Sequence, residues 1–169
     1  TLTIPNAGYN AGTGDLRMIG TTDVVDSGAS PRTLILASDD LNFSSGDNGA
    51  DTTLTTTVNT LTASLTGAGD LTINETNALT LTNVDTSNGN IDVNAAGNIS
   101  VVDVDDLNGG NLVSIDSASG AITDGGGASP LIFADSLQLL ARTGIGSGNA
   151  IETQVANLAA EIENSGNLE

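Results

Sequence analysis

The side chains best placed to do chemistry in this chain are carboxylates. Asp103, Asp105 and Asp106 form the densest acidic group, in the stretch VVDVDDLN, and strand alternation would put Asp103 and Asp105 on one face. Two carboxylates roughly 5 to 9 Å apart can share the work of glycoside hydrolysis. Little else in the chain supports a reaction. His and Cys are absent, and Lys+Arg totals three: Arg17, Arg32 and Arg142. Eliminative cleavage of an acidic sugar needs a cationic base, and these three are far apart in sequence. Arg142 leads into a Gly-rich corner, which suits a surface role. The expected role of Asp103, Asp105 and Asp106 is a solvated acidic edge; no catalytic residue is assigned and no enzyme is expected.

Cations and phosphates fare no better. NGGN (residues 108–111) and GDNGAD (residues 46–51) are oxygen-rich turns, but neither supplies a complete calcium ligand set. The Gly-Gly-x-Gly-x-Asp repeat of calcium-binding solenoids is missing. No metal site and no cofactor is expected, and calcium would be weak or incidental. Asp124 and the three glycines after it lack the Lys and the helix of a phosphate loop. Asn42, Asn74 and Asn98 open N-x-S/T sequons, a weak signal in a chain so rich in these residues. Thr53, Thr55 and Thr57, then Thr60 and Thr62, then Thr80 and Thr82, alternate as outward strand residues do. The units from Ile91 and Leu131 break the Thr array, which argues against an ice-binding face.

Composition shows what must position these groups. The 169 residues carry 21 acidic side chains and a formal net charge of −18. That charge repels nucleic acid and anionic membrane surfaces. No run of 18 apolar residues occurs, so no membrane insertion is expected. Tyr9, Phe43 and Phe133 are the only aromatics, while Leu, Ile, Val and Ala are spread evenly and in pattern. Patterned aliphatics speak against disorder and for a thin core made of stacked layers.

The layers repeat. Units begin near Leu2, Leu16, Leu34, Leu54, Leu71, Ile91, Leu112, Leu131, Ile151 and Leu168, at intervals clustering near 20 residues, and several follow a Gly-Asp or Gly-Asn pair. Within units, period-two alternation predicts Leu71, Ile73, Leu79 and Leu81 inside, with Thr72, Asn74, Thr80 and Thr82 outside. Ile91, Val93, Ile99 and Val101 repeat the arrangement. One such unit cannot bury its apolar face alone. Stacked at about 4.8 Å, the units form an all-β fold, a right-handed parallel β-helix or β-solenoid of about 20-residue rungs, roughly 40 Å long. A β-sandwich is the alternative, but it would bring hairpins and an aromatic core.

A longer correspondence overlies the rungs. GASPRTLILASDDL and GASPLIFADSL share a phrase, with Pro31 and Pro130 99 residues apart. Downstream, Leu54, Thr56, Val58, Leu61, Ala63, Leu65 and Gly69 match Ile151, Thr153, Val155, Leu158, Ala160, Ile162 and Gly166. Residues 1–169 therefore read as one solenoid holding two incomplete copies of a super-repeat of about 99 residues, or five rungs. The copy boundary falls near residues 110–113. The chain reads as a piece of a longer array, and Leu168-Glu169 suit either a native end or a cloning remnant.

The stretch LIFADSLQLLARTGIGSGNAIETQVANLAAEIENSGNL resembles giant bacterial surface proteins of the filamentous-haemagglutinin type, in which TGIG, ETQV and NLAA recur among Asn/Gly-rich β-helical rungs. The resemblance covers about residues 131–168, and the remainder is similar in texture only. It implies a long, secreted, right-handed β-helix at the bacterial cell surface, serving in attachment, biofilm formation or cell contact. The expected function is a structural stalk segment. Its expected partners are neighbouring solenoid repeats and cell-surface glycans or proteins. A carbohydrate-binding or carbohydrate-active module with an acidic face is the alternative.

Overall fold

The computed structural model describes residues 2–4, 9–20, 24–26, 32–46, 49–126 and 129–169. Every strand pairing among them is parallel, and two long sheets carry the chain back and forth. The first sheet stacks β2 (Tyr9–Asn10), β5 (Arg32–Ala37), β7 (Thr52–Thr57), β9 (Leu71–Glu75), β11 (Ile91–Ala95), β14 (Leu112–Ser117), β17 (Ser136–Ala141) and β19 (Asn157–Ile162). Opposite it lie β3 (Leu16–Gly20), β6 (Asp40–Ser45), β8 (Thr60–Leu65) and β10 (Leu79–Thr86). They are followed by β12 (Ile99–Val101), β13 (Val104–Asp106), β15 (Ile122–Asp124), β16 (Ile132–Phe133) and β18 (Thr153–Gln154). A short third pair joins β1 (Leu2–Ile4) to β4 (Val24–Asp26). This is a β-solenoid, and its eight first-sheet strands at ~4.8 Å span roughly 34 Å.

Alternation sets what faces inward. Leu71, Ile73, Leu81, Ile91, Val93, Ile99 and Val101 are fully buried, and Leu79 nearly so. Because the pairing is in register, like positions stack into columns. One column runs Leu54, Ile73, Val93, Ile115, Leu139 and Ala160; another runs Met18, Phe43, Ala63, Val84, Val104 and Ile132. Each buried aliphatic side chain contributes about 1.5–3 kcal/mol, and a single core extends from Met18 to Ile145.

The Gly-Asp and Gly-Asn pairs have a structural reason. Asp51 Oδ1 accepts the N–H of Asp70 at 3.1 Å, Asp70 Oδ1 that of Asn90 at 2.8 Å, and Asn90 Oδ1 that of Leu112 at 2.9 Å. Each corner side chain thus receives the backbone of the coil above it. At Asn90 the preceding glycine permits the approach, because a Cβ on Gly89 would lie 2.0 Å from the carbonyl oxygen of Gly69.

Coils are not all alike. Arg32 pairs with Thr52, Thr52 with Leu71, Leu71 with Ile91, Ile91 with Val113, Val113 with Leu137 and Leu137 with Leu158, in steps of 20, 19, 20, 22, 24 and 21 residues. The extra length enters partly in the second sheet and partly at the corner between Asp106 and Val113. β8 is straight, and β10 takes up one residue at a bulge between Leu81 and Asn83. In the next coil Val102 and Asp103 separate β12 from β13, and then residues 125–131 separate β15 from β16. One wall has become two.

This drift corrects the phase of the 20-residue units. Those from Leu34 to Leu112 begin at the first sheet, whereas Leu16, Leu131 and Ile151 begin or precede strands of the second. Alternation is the same in both sheets, so the pattern alone does not tell one from the other. The long correspondence is affected too. β8 matches β19 in sequence, yet the two lie in opposite sheets, as do β7 and β18. From β8, three full turns lead through β10 and β13 to β16, and a fourth through β18; the match to β19 falls half a turn later. The expected five rungs are four and a half turns. The earlier GASP phrase lies outside the described residues.

Candidate functional site

The acidic group forms where the second sheet splits. Asp85 on β10 and Asp105 on β13 are direct register partners, pointing outward one coil apart. Asp103 sits in the break between β12 and β13, rather than on a strand shared with Asp105. Burial pushes the Asp85 carboxyl above its ordinary value; the Ser64 hydroxyl, donating at 2.7 Å, opposes this, and Asp103 adds to it. Asp105 is raised by burial first, then by the charges of Asp103 and Asp85, against the backbone N–H of Phe133. Asp85 and Asp105 therefore sit in a patch of like charges that, with burial, holds both carboxyls above their ordinary value. Asp106 is not part of it. Alternation turns that side chain fully inward, where it accepts Asn111 N at 3.0 Å and Asn111 Nδ2 at 3.1 Å. It fastens the NGGN turn to the coil.

A second feature is a groove of about 410 Å³ on the outer face of the second sheet. Asp15, Arg17, Asp40, Asn42, Thr60, Thr62 and Thr82 supply its polar lining. Arg17, Asn42 and Thr62 follow one another in register across three coils, and Thr82 is the residue extruded at the bulge. The Thr60 hydroxyl donates to Asp40. A cation, two carboxylates, an amide and hydroxyls converge here, offering both donors and acceptors.

No family model, curated protein or solved structure matches this chain.

The remaining sequence candidates disperse. Among the described residues no group of three or more His, Cys, Asp or Glu is arranged to hold a metal ion. Residues 47–48 of GDNGAD lie outside the described residues, as does the Arg32 side chain. Asp124 Oδ1 accepts Gly126 N at 2.5 Å, and Asp124 also receives the Asn149 amide, so it braces its own loop. Arg142 reaches Glu163 at 3.5 Å across one coil, with both side chains about half exposed; such a pair contributes roughly 0–1 kcal/mol. Asn42 is exposed in the groove, Asn74 is half-buried on the first sheet, and Asn98 Oδ1 accepts Ala121 N at 2.9 Å.

Two features escaped sequence reasoning. The convergence of Arg17 with Asp40 needs the coil length to be known, since the residues lie in consecutive coils. Glu75 is the other. It is 4% exposed and accepts Val58 N at 3.0 Å on one carboxylate oxygen, with Thr76 N at 2.7 Å and Asn77 N at 3.0 Å on the other. Its signal was present, because Leu71, Ile73 and Glu75 occupy one alternating face.

Proposed function

We propose that this chain is a structural segment of a long adhesin-type protein of the bacterial surface, a stiff spacer that holds other regions away from the cell. The observation that supports this reading is the run of inward columns continuing from coil to coil, from Met18 to Leu139, each coil carrying its neighbour. The likeness of residues 131–168 to filamentous-haemagglutinin-type repeats is in keeping with it. In such a spacer, length and stiffness matter and surface sequence does not. Replacing these residues in the parent protein with an unrelated solenoid of equal length should therefore restore attachment lost on their deletion. If the deletion is harmless, or the replacement fails to restore attachment, the reading is wrong.

The groove favours a second reading, binding of a neutral glycan. Arg17, Asp15, Asp40 and Asn42 offer hydrogen bonds of both senses, and a surface of net charge −18 disfavours acidic sugars. A glycan array probed with the chain, and with Arg17→Ala, tests it. Binding that survives the substitution unchanged would remove the groove from consideration.

A further inference from the structure

We infer that the groove beside Phe133 is a docking site for a basic segment of a partner protein, one whose arginine or lysine side chain lies across the Phe133 ring between apolar neighbours. Such docking goes beyond the spacer role, since a rod can hold other regions out and also carry a partner on its flank. It is measured on the chain alone, so an absence of docking leaves the spacer reading standing.

The groove encloses about 350 Å³ beside the NGGN corner, and its walls are mostly apolar: Phe133, Ala134 and Val155, with the bare backbone of Gly109 and Gly110. The two glycines hold φ of 66° and 102°, the left-handed region that keeps side chains off this wall. Leu107, 55% exposed, and Leu112, 38% exposed, flank the same corner. Both belong to a coil with neighbours on either side. Leu107 N donates to Thr86 O of the coil before at 3.0 Å, and Leu112 pairs with Ser136 of the coil after. Asp105 likewise stands between Asp85 and Phe133, and Phe133 between Asp105 and Gln154. Coils stack along the axis, so this exposure is lateral and persists however many coils the rod contains.

What fits the groove follows from the charges around it. Asp135 lines it, and Asp105 and Asp85 continue the outward column of Phe133, with Asp103 close enough to act on both. Burial and the charge of Asp103 already hold the Asp85 and Asp105 carboxyls above their ordinary value. An acidic partner is repelled here, and a neutral one would desolvate these carboxylates without supplying a counter-charge. A cation relieves the repulsion and is also attracted to the face of the aromatic ring. The described cations of the chain are engaged elsewhere: Arg17 lines the other groove, and Arg142 meets Glu163 at 3.5 Å. A basic side chain lays its methylenes on apolar surface and keeps its head group by the carboxylates. Apolar residues beside it in the same segment would cover Leu107 and Leu112, which a free cation leaves bare.

Amide NMR of the isotope-labelled chain, titrated at low salt with the capped peptide Ala-Leu-Arg-Leu-Ala, tests the proposal. The expected result is a saturable shift confined to Gly109, Gly110, Phe133, Asp135 and their neighbours. The peptide with Gln for Arg should bind roughly fivefold more weakly or worse, and the peptide with Ala for both Leu residues should also lose roughly fivefold. Phe133→Ala should weaken binding roughly fivefold while leaving the circular dichroism spectrum unchanged. Asp105→Asn and Asp92→Asn remove the same charge from opposite walls. The first should weaken binding roughly two- to fivefold and the second should not. No saturable shift, shifts spread evenly over the acidic surface, equal binding of the Gln peptide, or equal losses from the two Asp variants would each overturn the inference.

Discussion

Residues 54–71 and residues 151–168 carry nearly the same pattern and meet different fates. In the first, Leu54, Leu61, Ala63, Leu65 and Leu71 are fully buried and Val58 is nearly so. In the second, Ile151, Val155, Ala160 and Ile162 are only partly buried, and Leu158 and Leu168 are exposed. The difference is not in the residues but in what lies on them. A solenoid coil owns half of its core at most, and its neighbour supplies the rest. Stability should therefore be graded along the rod, high where a coil is covered on both sides and low at the final coil.

Truncating the matched leucines probes that gradient most strongly. Leu61→Ala should cost about 2–5 kcal/mol, because the cavity it leaves is enclosed. Leu158→Ala should cost less than about 1 kcal/mol, since its methyls already meet water. Urea unfolding of the two variants makes the comparison, and equal losses would break it.

Next in size is Glu75→Ala. The carboxylate satisfies three backbone N–H groups at a corner where the final coil has Ile162 in the same column, and leaving them unpaired should cost about 3 kcal/mol. Gln in its place should recover part of that loss, since one amide oxygen still accepts. Thermal melts of the pair decide whether Glu75 braces the corner or merely occupies it.

A gain is expected from the inward threonines of the covered coil. The Oγ1 atoms of Thr52 and Thr56 are buried without a hydrogen-bond partner. Thr56→Val, which keeps the shape and removes the hydroxyl, should stabilise the chain by about 1 kcal/mol. A loss of stability would show that the hydroxyl has a partner.

The smallest effect concerns pH. Burial raises the carboxyls of Asp85, Asp105 and Asp116 above 3.8, helped by Asp103 for the first two and by Glu163 and Asp92 for the third. Just above that value the folded chain keeps protons that the unfolded chain has lost, so acidification through this window stabilises the fold and a rise in pH removes the gain. Melting temperature should climb modestly as pH falls from 7 towards 4, and Asp85→Asn should flatten the slope.

Much of this architecture was legible because it obeys a short period. Leu71, Ile73, Ile91 and Val93 point inward as their alternation requires, and the Gly-Asp and Gly-Asn pairs marked true corners. What was not legible depends on coil length, which single residues do not encode. The bulge at Leu81 and Asn83, the NGGN corner after Asp106 and the insertion before Ile132 lengthen successive coils. They shift the phase by half a turn between β14 and β16. Asp106 was grouped with Asp103 and Asp105 by proximity in sequence, although alternation already turned it inward. The groove around Arg17 needs two coils aligned before it can be seen at all.

The central claim is the register itself, coil upon coil in steps of about 20 residues. Because the chain contains no Cys, a single engineered pair reports it cleanly. Thr72 and Asp92 are outward register partners on β9 and β11, and the strand spacing of about 4.8 Å falls within the Cα range that a disulfide bridges. Thr72→Cys with Asp92→Cys should therefore cross-link readily under mild oxidation. Thr72→Cys with Thr80→Cys, closer in sequence but on opposite walls, should not. Cross-linking of the second pair in preference to the first would contradict the stacked solenoid.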